Sequence, residues 1–312
     1  MPPEVSVVIP IFGAGRTVGG TLASLQAQTH PSFDVVVVDD GSTDDGPDVV
    51  AALAATDPRI RLVRCGRNVG VAAALNVGLA HTEAGLVARL DADDVAEPHR
   101  LATQVAAMRA DAGLVVCGSS VRYLGRGRRA LLGRVPETDA EIQHELDHTL
   151  HSPFFHPAVM MRRAALDAVG GYREEFRNAE DYDLWLRIRH EGRLLNLTEP
   201  LTRYRVSPRG ATLGRLREQR RYALLARAAA DAPNLPLSEV RAVVEAAEDD
   251  ADLARYVAKE QAAFAALLAD LGHPAAAVGH LVRVRDQVGP LAVPRFVAGR
   301  TRQAARSARR GR

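Results

Sequence analysis

Residues 35–38 are four consecutive valines, set in the run FDVVVVDDGS. Strand side chains alternate between two faces, so such a run is stable as a strand only where both faces are buried. The β-branched run VSVVI at 5–9, closed by Pro10, makes the same demand. RIRLVRC, GLVARLD and GLVVCGSSVRYL continue the series, and helical segments of about ten to fifteen residues separate them. Helices are expected over 18–28, after Ser42 or Thr43 as cap with Asp44 and Asp45 in the first turn, from near Asn68 to before Gly85, and over 97–110. This alternation predicts an α/β fold, a Rossmann-like and mostly parallel sheet with flanking helices. Ligands of such sheets sit outside the carboxyl ends of the strands.

Those ends are acidic. Asp39 and Asp40 close the second strand, and Asp91, Asp93 and Asp94 follow the fourth in RLDADDVAEP. Carboxylates crowded together repel, and burying them unpaired is costly, so they either fray into solvent or surround something positive. Asp91 and Asp93, at i and i+2, can both reach one divalent cation if the backbone turns there, and hard oxygen ligands suit magnesium or manganese. The competing reading is a solvated acidic turn, with Asp94 a local structural acid. Asp40 could accept hydrogen bonds from a nucleobase or a ribose, with Gly41 allowing close backbone approach. An ordinary strand-to-helix turn would use the same residues, and Asp39 could be structural. Asn68 and Gly70 could simply start a helix.

A third acidic cluster lies in NAEDYDLWLRIRHEG, which reads as an amphipathic helix beginning around Ala179. Glu180 and Asp181 would lie at its start, where acids are electrostatically favoured. Asp181 follows a glycine-rich turn and could take a proton from an attacking hydroxyl. Asp183 reads as solvated or salt-bridging, Trp185 as part of the apolar side of the helix, and His156 as a structural histidine. Neither a Walker phosphate loop nor a GxGxxG fingerprint is present. Further on, LLNLTEPLTRYRVS is strand-like with a turn at Pro200, and residues 215–270 are alanine-rich and helical, broken by DAPNLP at 231–236.

In this order, VSVVIPIFG, TLASLQAQTH, VVVVDDGSTDDG, RNVGVAAALNVGL, RLDADDVAEPHRL and AEDYDLWLRI resemble a family 2 glycosyltransferase of the GT-A fold, over residues 4 to 210. The resemblance implies a catalytic domain at 1–212 and leaves 213–312 as a helical C-terminal extension. It implies a nucleotide-diphosphate sugar donor (UDP-, dTDP- or GDP-linked), a divalent cation (Mn2+ or Mg2+) and inversion at the anomeric carbon. Pro10, Ile11 and Phe12 would border the nucleoside, largely through backbone. Asp40 would contact the base, Asp39 would support the ribose or the loop, and Asn68 would lie near the base. Asp91 and Asp93, flanking Ala92, match the metal-associated DxD. Asp181 matches the catalytic base, with Glu180 assisting. The acceptor would be a glycan or lipid-linked hydroxyl of cell-envelope or exopolysaccharide synthesis. Ser207 stands where many relatives carry a histidine near the phosphates, so either Arg205 or Arg209 would neutralise the diphosphate instead, or the lid there would behave differently. Two alternatives compete: a sugar-phosphate nucleotidyltransferase, whose glycine-rich loop and lysine IPIFGAGRTVGG lacks, and a non-catalytic nucleotide-sugar or glycan-binding protein of the same fold.

Composition narrows the setting. With 47% hydrophobic and 25% charged residues the chain reads as an ordinary globular protein, and a net charge of +2 does not point to a class of partner. Cys65 and Cys117 give no disulfide framework. No basic leader or apolar run of about 18 residues appears, so the expected setting is cytoplasmic. The basic tail from Arg283 to Arg312 could make peripheral contact with anionic membrane. It is too generic to indicate nucleic acid.

Overall fold

The computed structural model describes residues 2–125, 131–206, 216–247, 250–273, 275–278 and 280. The expected α/β architecture is present. Strands β1 (Val5–Ile11), β2 (Phe33–Asp39), β3 (Ile60–Arg64) and β4 (Leu86–Arg89) lie in the order β3-β2-β1-β4 and run parallel. The four valines are at most 1% exposed. Val35 and Val37 pack with Leu22 and Leu25 of helix α1 (Val18–Gln26). Val36 and Val38 pack on the opposite face with Ala74 of α3 (Val71–Ala80). Both faces are covered, as the valine run requires. Gly78 sets the spacing of α3 on the sheet: a Cβ there would stand 2.4 Å from Val8 Cγ1.

Helix α2 (Gly46–Ala54) starts later than its sequence suggests. The acids before it serve the turn instead. Asp39 Oδ1 accepts the Ser42 amide at 2.9 Å, and Asp44 accepts the amides of Gly15 at 2.7 Å and Gly46 at 3.2 Å. Ser42 does not cap the helix; its hydroxyl accepts the Gly13 amide at 3.2 Å.

Beyond β4 the sheet becomes mixed. The short β5 (Val95–Ala96) and helix α4 (Arg100–Ala110) lead into β6 (Leu114–Leu124), to which β7 (Leu132–Gly133) adds as a hairpin partner. Helix α5 (Asp139–His148) carries a Thr138–Glu141 capping box. Strand β8 (Met160–Arg162) inserts antiparallel between β4 and β6. It is followed by α6 (Arg163–Ala168), α7 (Glu180–Ile188) and β9 (Arg193–Arg205). β9 runs parallel to β6 and carries β5 on its far edge. The expected turn at Pro200 is a register shift within one continuous strand, because a residue without an amide proton is accommodated at a bulge.

Helices α8 (Leu216–Asp231), α9 (Leu237–Ala247) and α10 (Asp250–Asp270) cover the irregular side of the sheet. Ala223, Leu225 and Ala226 of α8 enter the same hydrophobic core as Trp185 and Leu184 of α7. Arg227 of α8 donates to the Asp147 carbonyl at 2.6 Å and also reaches the Leu146 and Thr149 carbonyls and the Tyr182 hydroxyl. Among the described residues no helix is long and apolar enough to cross a membrane. Ser207, Arg209 and the tail from Arg283 to Arg312 lie outside the described residues.

Helix α7 is fixed by one buried carboxylate. Asp183, fully buried, pairs with Arg173 and with Arg187 at 2.8 Å. Arg187 also donates to the Val169 carbonyl at 2.6 Å and the Gly171 carbonyl at 2.8 Å. Gly171, at φ +70°, sits against Asn76 Oδ1 of α3, where a Cβ would come within 2.9 Å. Removing the carboxylate would leave Arg187 charged, largely buried and short of a counter-ion. Asp183→Ala should therefore cost about 3–5 kcal/mol of stability, read as a fall in the urea midpoint; an unchanged midpoint would show that α7 is held by packing alone.

Candidate active site

The carboxyl ends of β1 and β4 open into a cavity of about 1700 Å³. Pro10, Phe12, Arg16, Asp91, Ala92, Asp93 and Arg205 line one part of it. Asp91, Asp93 and Asp94 each offer an oxygen within 4.8 Å of the others. The tight turn after β4, closed by the Asp94 amide on the Asp91 carbonyl at 3.2 Å, brings them together. Among the described residues Asp91 alone of this group has a close ion pair: the buried Arg89 guanidinium lies 2.6 Å away. Asp93 is half-buried, and burial followed by the nearby Asp91 charge raises its pKa. Asp94 is fully buried and accepts the Arg205 amide at 2.7 Å. Its second oxygen has no hydrogen-bond partner, and burial pushes its pKa up to about 8. Three close carboxyl groups, one an orphaned buried oxygen, form a hard-oxygen set that suits a divalent cation.

The other acidic cluster heads α7. Asn178, at φ 60°, turns the chain into the helix, and Ala179 at the N-cap supplies no side-chain acceptor. The first-turn amides are left to the acids. Asp181 accepts the Tyr182 amide at 2.8 Å, and its carboxylate is within hydrogen-bonding reach of Ser152. Ser152 lines the cavity. Burial raises the Asp181 pKa, while the Tyr182 amide and the nearby Ser152 hydroxyl act against the rise. Glu180 is 8% exposed and has one buried oxygen without a partner. Burial, then the Asp181 charge, pushes it up to about 7. The helix N-terminus lowers the cost of keeping negative charge at this position.

The two clusters share Arg89. Its charge opposes the pKa rise at Asp93, Asp94, Glu180 and Asp181, although Nε and Nη1 are buried without hydrogen-bond partners. Beneath it, His156 hydrogen-bonds Tyr172 at 2.9 Å, and burial holds its pKa well below the usual range, so the imidazole is neutral.

The remaining sequence candidates fall into separate places. Ile11 is core, while Phe12 is 60% exposed on the cavity wall. Asp40 is buried, and its oxygens hold the amides of Val69 at 2.6 Å and Gly70 at 3.1 Å, so it fixes the turn before α3. Asn68 is exposed on that turn, whose backbone comes so close to Gly41 that a Cβ there would meet it at 2.6 Å. Trp185 is core: fully buried, tilted against Phe154 with ring centroids 4.9 Å apart, and donating to Ser152 at 3.0 Å. Arg205 donates from Nε to the Asp93 carbonyl at 2.9 Å and lines the cavity. Arg89 and Ser152 join the site without being singled out by the sequence. Arg89 was visible as a lone arginine in the buried strand LVAR; nothing local marks Ser152.

The sequence matches the family described as glycosyl transferase family 2 over residues 6–170. EpsE of Bacillus subtilis (strain 168) is 34% identical over 211 residues, covering 65% of this chain and 73% of that protein. The amylovoran biosynthesis glycosyltransferase AmsE of Erwinia amylovora is 31% identical over 185 residues, covering 59% and 68%. Among solved structures, the mannosyltransferase PcManGT from Pyrobaculum calidifontis in complex with GDP-Man and Mn2+ aligns over 98% of this chain and 81% of its own, with a TM-score of 0.56. Its 21% identity makes that a likeness of fold.

Glu180 generates a pH signature. Folded, it keeps its proton to about pH 7; unfolded, it loses it near 4.5. The folded state binds more protons across that interval, so this group lowers stability as pH rises through it. Glu180→Gln should match the parent near pH 4 and exceed it at pH 8 by on the order of 1–3 kcal/mol. Chemical denaturation at both values checks this; a pH-independent difference would place Glu180 in a less costly setting.

Proposed function

The chain belongs to glycosyl transferase family 2, and from that membership together with the two acidic clusters we propose an inverting transfer of a sugar from a nucleotide-diphosphate donor to an acceptor hydroxyl. The carrying observation is the convergence of Asp91, Asp93 and Asp94 at the end of β4 with Glu180 and Asp181 at the head of α7, around one buried arginine. Family membership favours this reading over nucleotidyl transfer. AmsE's role in amylovoran biosynthesis supports a place in extracellular polysaccharide assembly. PcManGT's complex with GDP-Man and Mn2+ supports a nucleotide-sugar donor and a divalent cation.

In this reading Asp91 and Asp93 hold the cation, which supplies charge neutralisation for the departing nucleoside diphosphate. Arg16 and Arg205, both on the cavity wall, contribute further positive charge to the phosphates. Pro10 and Phe12 border the nucleoside. Asp40 acts through the Val69–Gly70 turn, placing Asn68 at the nucleoside edge. Asp94 holds Arg205 in register through its backbone amide. Asp181 takes the proton from the acceptor hydroxyl as its oxygen attacks the anomeric carbon on the face opposite the leaving diphosphate. One displacement inverts the configuration and needs no carboxylate nucleophile, unlike a retaining glycosidase. Glu180, protonated to about pH 7, keeps a second negative charge away from the attacking oxygen.

Release of nucleoside diphosphate on mixing nucleotide sugar, manganese and acceptor tests the reaction. Asp181→Asn should cut turnover by about 10²–10⁴-fold while donor binding, followed by thermal shift, stays within twofold. Near-normal transfer by Asp181→Asn would remove the residue from the base role. Pyrophosphate release from a sugar phosphate and a nucleoside triphosphate would overturn the glycosyl-transfer reading.

A further inference from the structure

Helix α5 carries a motif that belongs to neither acidic cluster. His144, Glu145, Leu146, Asp147 and His148 have the H-E-x-x-H spacing, which sets two imidazoles on one helix face. The structure realises that spacing. The two rings lie against one another, with centroids 4.1 Å apart and planes tilted by 28°. Both histidines are exposed. Nδ1 of His148 lies 2.9 Å from the His144 carbonyl oxygen, which can only accept, so Nδ1 carries the proton of the neutral ring. Nε2 then keeps its lone pair for a ligand. Histidines that bind metal characteristically donate their other ring N–H to such a carbonyl.

The acids of the motif are engaged elsewhere. Asp147 pairs with Arg189 at 2.8 Å, and Glu145 Oε1 accepts the Thr149 hydroxyl at 3.1 Å. Among the described residues the group of three side chains able to share one ion is Asp91, Asp93 and Asp94, so the α5 pair offers two protein ligands and leaves the remaining positions to water. A hydrolytic zinc centre needs three protein ligands; with two, and with Glu145 bonded to Thr149, this pair can bind an ion without doing that chemistry. Zinc–nitrogen bonds of about 2.0–2.1 Å set two nitrogens of a tetrahedral site about 3.4 Å apart, within the reach of rings whose centroids are 4.1 Å apart. Donor type separates the pair from the triad: imidazole suits zinc, nickel and copper, whereas carboxylate oxygens suit magnesium and manganese.

His148 lies in the last turn of α5, where the unpaired carbonyls favour a cation. Two other helices are tied to this end. Tyr182 of α7 donates to the Thr149 carbonyl at 2.8 Å, and Arg227 of α8 donates to the Asp147 carbonyl at 2.6 Å. We propose that His144 and His148 form a second metal site, for zinc or another borderline transition-metal cation, distinct from the hard-oxygen triad. The bound ion bridges successive turns and clips the end of α5 on which α7 and α8 are anchored.

Zinc titrated calorimetrically into the full chain, with no nucleotide present, tests the site. His144→Gln and His148→Gln should each weaken zinc binding at least about tenfold, since even outer-shell changes at histidine sites cost about 10–100-fold. Asp93→Asn should keep it within about twofold, and excess magnesium should not displace it. Copper(II) counts the ligands: its electron paramagnetic resonance should show coupling to two imidazole nitrogens in the parent and to one in each histidine variant. Zinc should also raise the thermal midpoint of the parent and leave that of the double variant unchanged. Both side chains are exposed, so the variants should match the parent's midpoint without metal. Equal zinc binding by the parent and both histidine variants would overturn the proposal. So would zinc binding lost in Asp93→Asn but kept in the histidine variants, copper coupled to a single nitrogen in the parent, or a parent midpoint that zinc does not raise.

Discussion

Five carboxyl groups at the end of β4 and the head of α7 depend on one buried guanidinium. Arg89 is ion-paired to Asp91 and supplies favourable charge to Asp93, Asp94, Glu180 and Asp181, yet it cannot neutralise them all. The deficit appears as raised pKa values and as orphaned oxygens on Asp94 and Glu180. A packed interior does not retain unpaired acids without compensation. Much of the surrounding architecture can be read as holding this charge imbalance in place. The valine strands deliver β4 to the rim, Asp183 locks α7, and Asn76 staples the Gly171–Tyr172 turn with bonds of 2.7 and 2.9 Å.

The parallel half of the sheet was legible in the sequence because its signal is local. A valine run, a closing acid and an intervening helix identify β2 as surely as the coordinates do. The mixed half was not legible. β8 is three residues long and inserts between β4 and β6 through pairing partners far away in sequence. The bulge in β9 reads as a turn because proline punctuates both. For the same reason the start of α2 was misplaced: the Ser-Thr-Asp-Asp stretch looks like a cap, but long-range bonds to Gly13 and Gly15 recruit its side chains.

The site shows the same division. Asp91, Asp93 and Asp181 could be singled out from pattern and resemblance, and the structure brings their clusters under the influence of one charge. What each residue touches required three dimensions. Asp40 closes β2 as the sequence suggests, and only the fold shows that its two oxygens each accept a backbone amide of the turn before α3. Trp185 could have bordered an acceptor, but it is core. Ser152 sits in an unremarkable loop and gains its place only because α7 docks against it. The C-terminal helices carry no motif, yet they supply much of the far cavity wall, so their sequence becomes informative only once α8 and α10 are seen beside β6 and β9.

In the proposed reaction the acids at the end of β4 require completion by a divalent cation together with a nucleoside diphosphate. Electron paramagnetic resonance of manganese, titrated with the parent chain and with Asp91→Asn and Asp93→Asn in the presence and absence of UDP or GDP, measures this directly. The parent should bind one ion per chain, more tightly with nucleotide than without, and each variant should lose the nucleotide-dependent binding. Equal manganese binding by parent and both variants, with nucleotide making no difference, would contradict it.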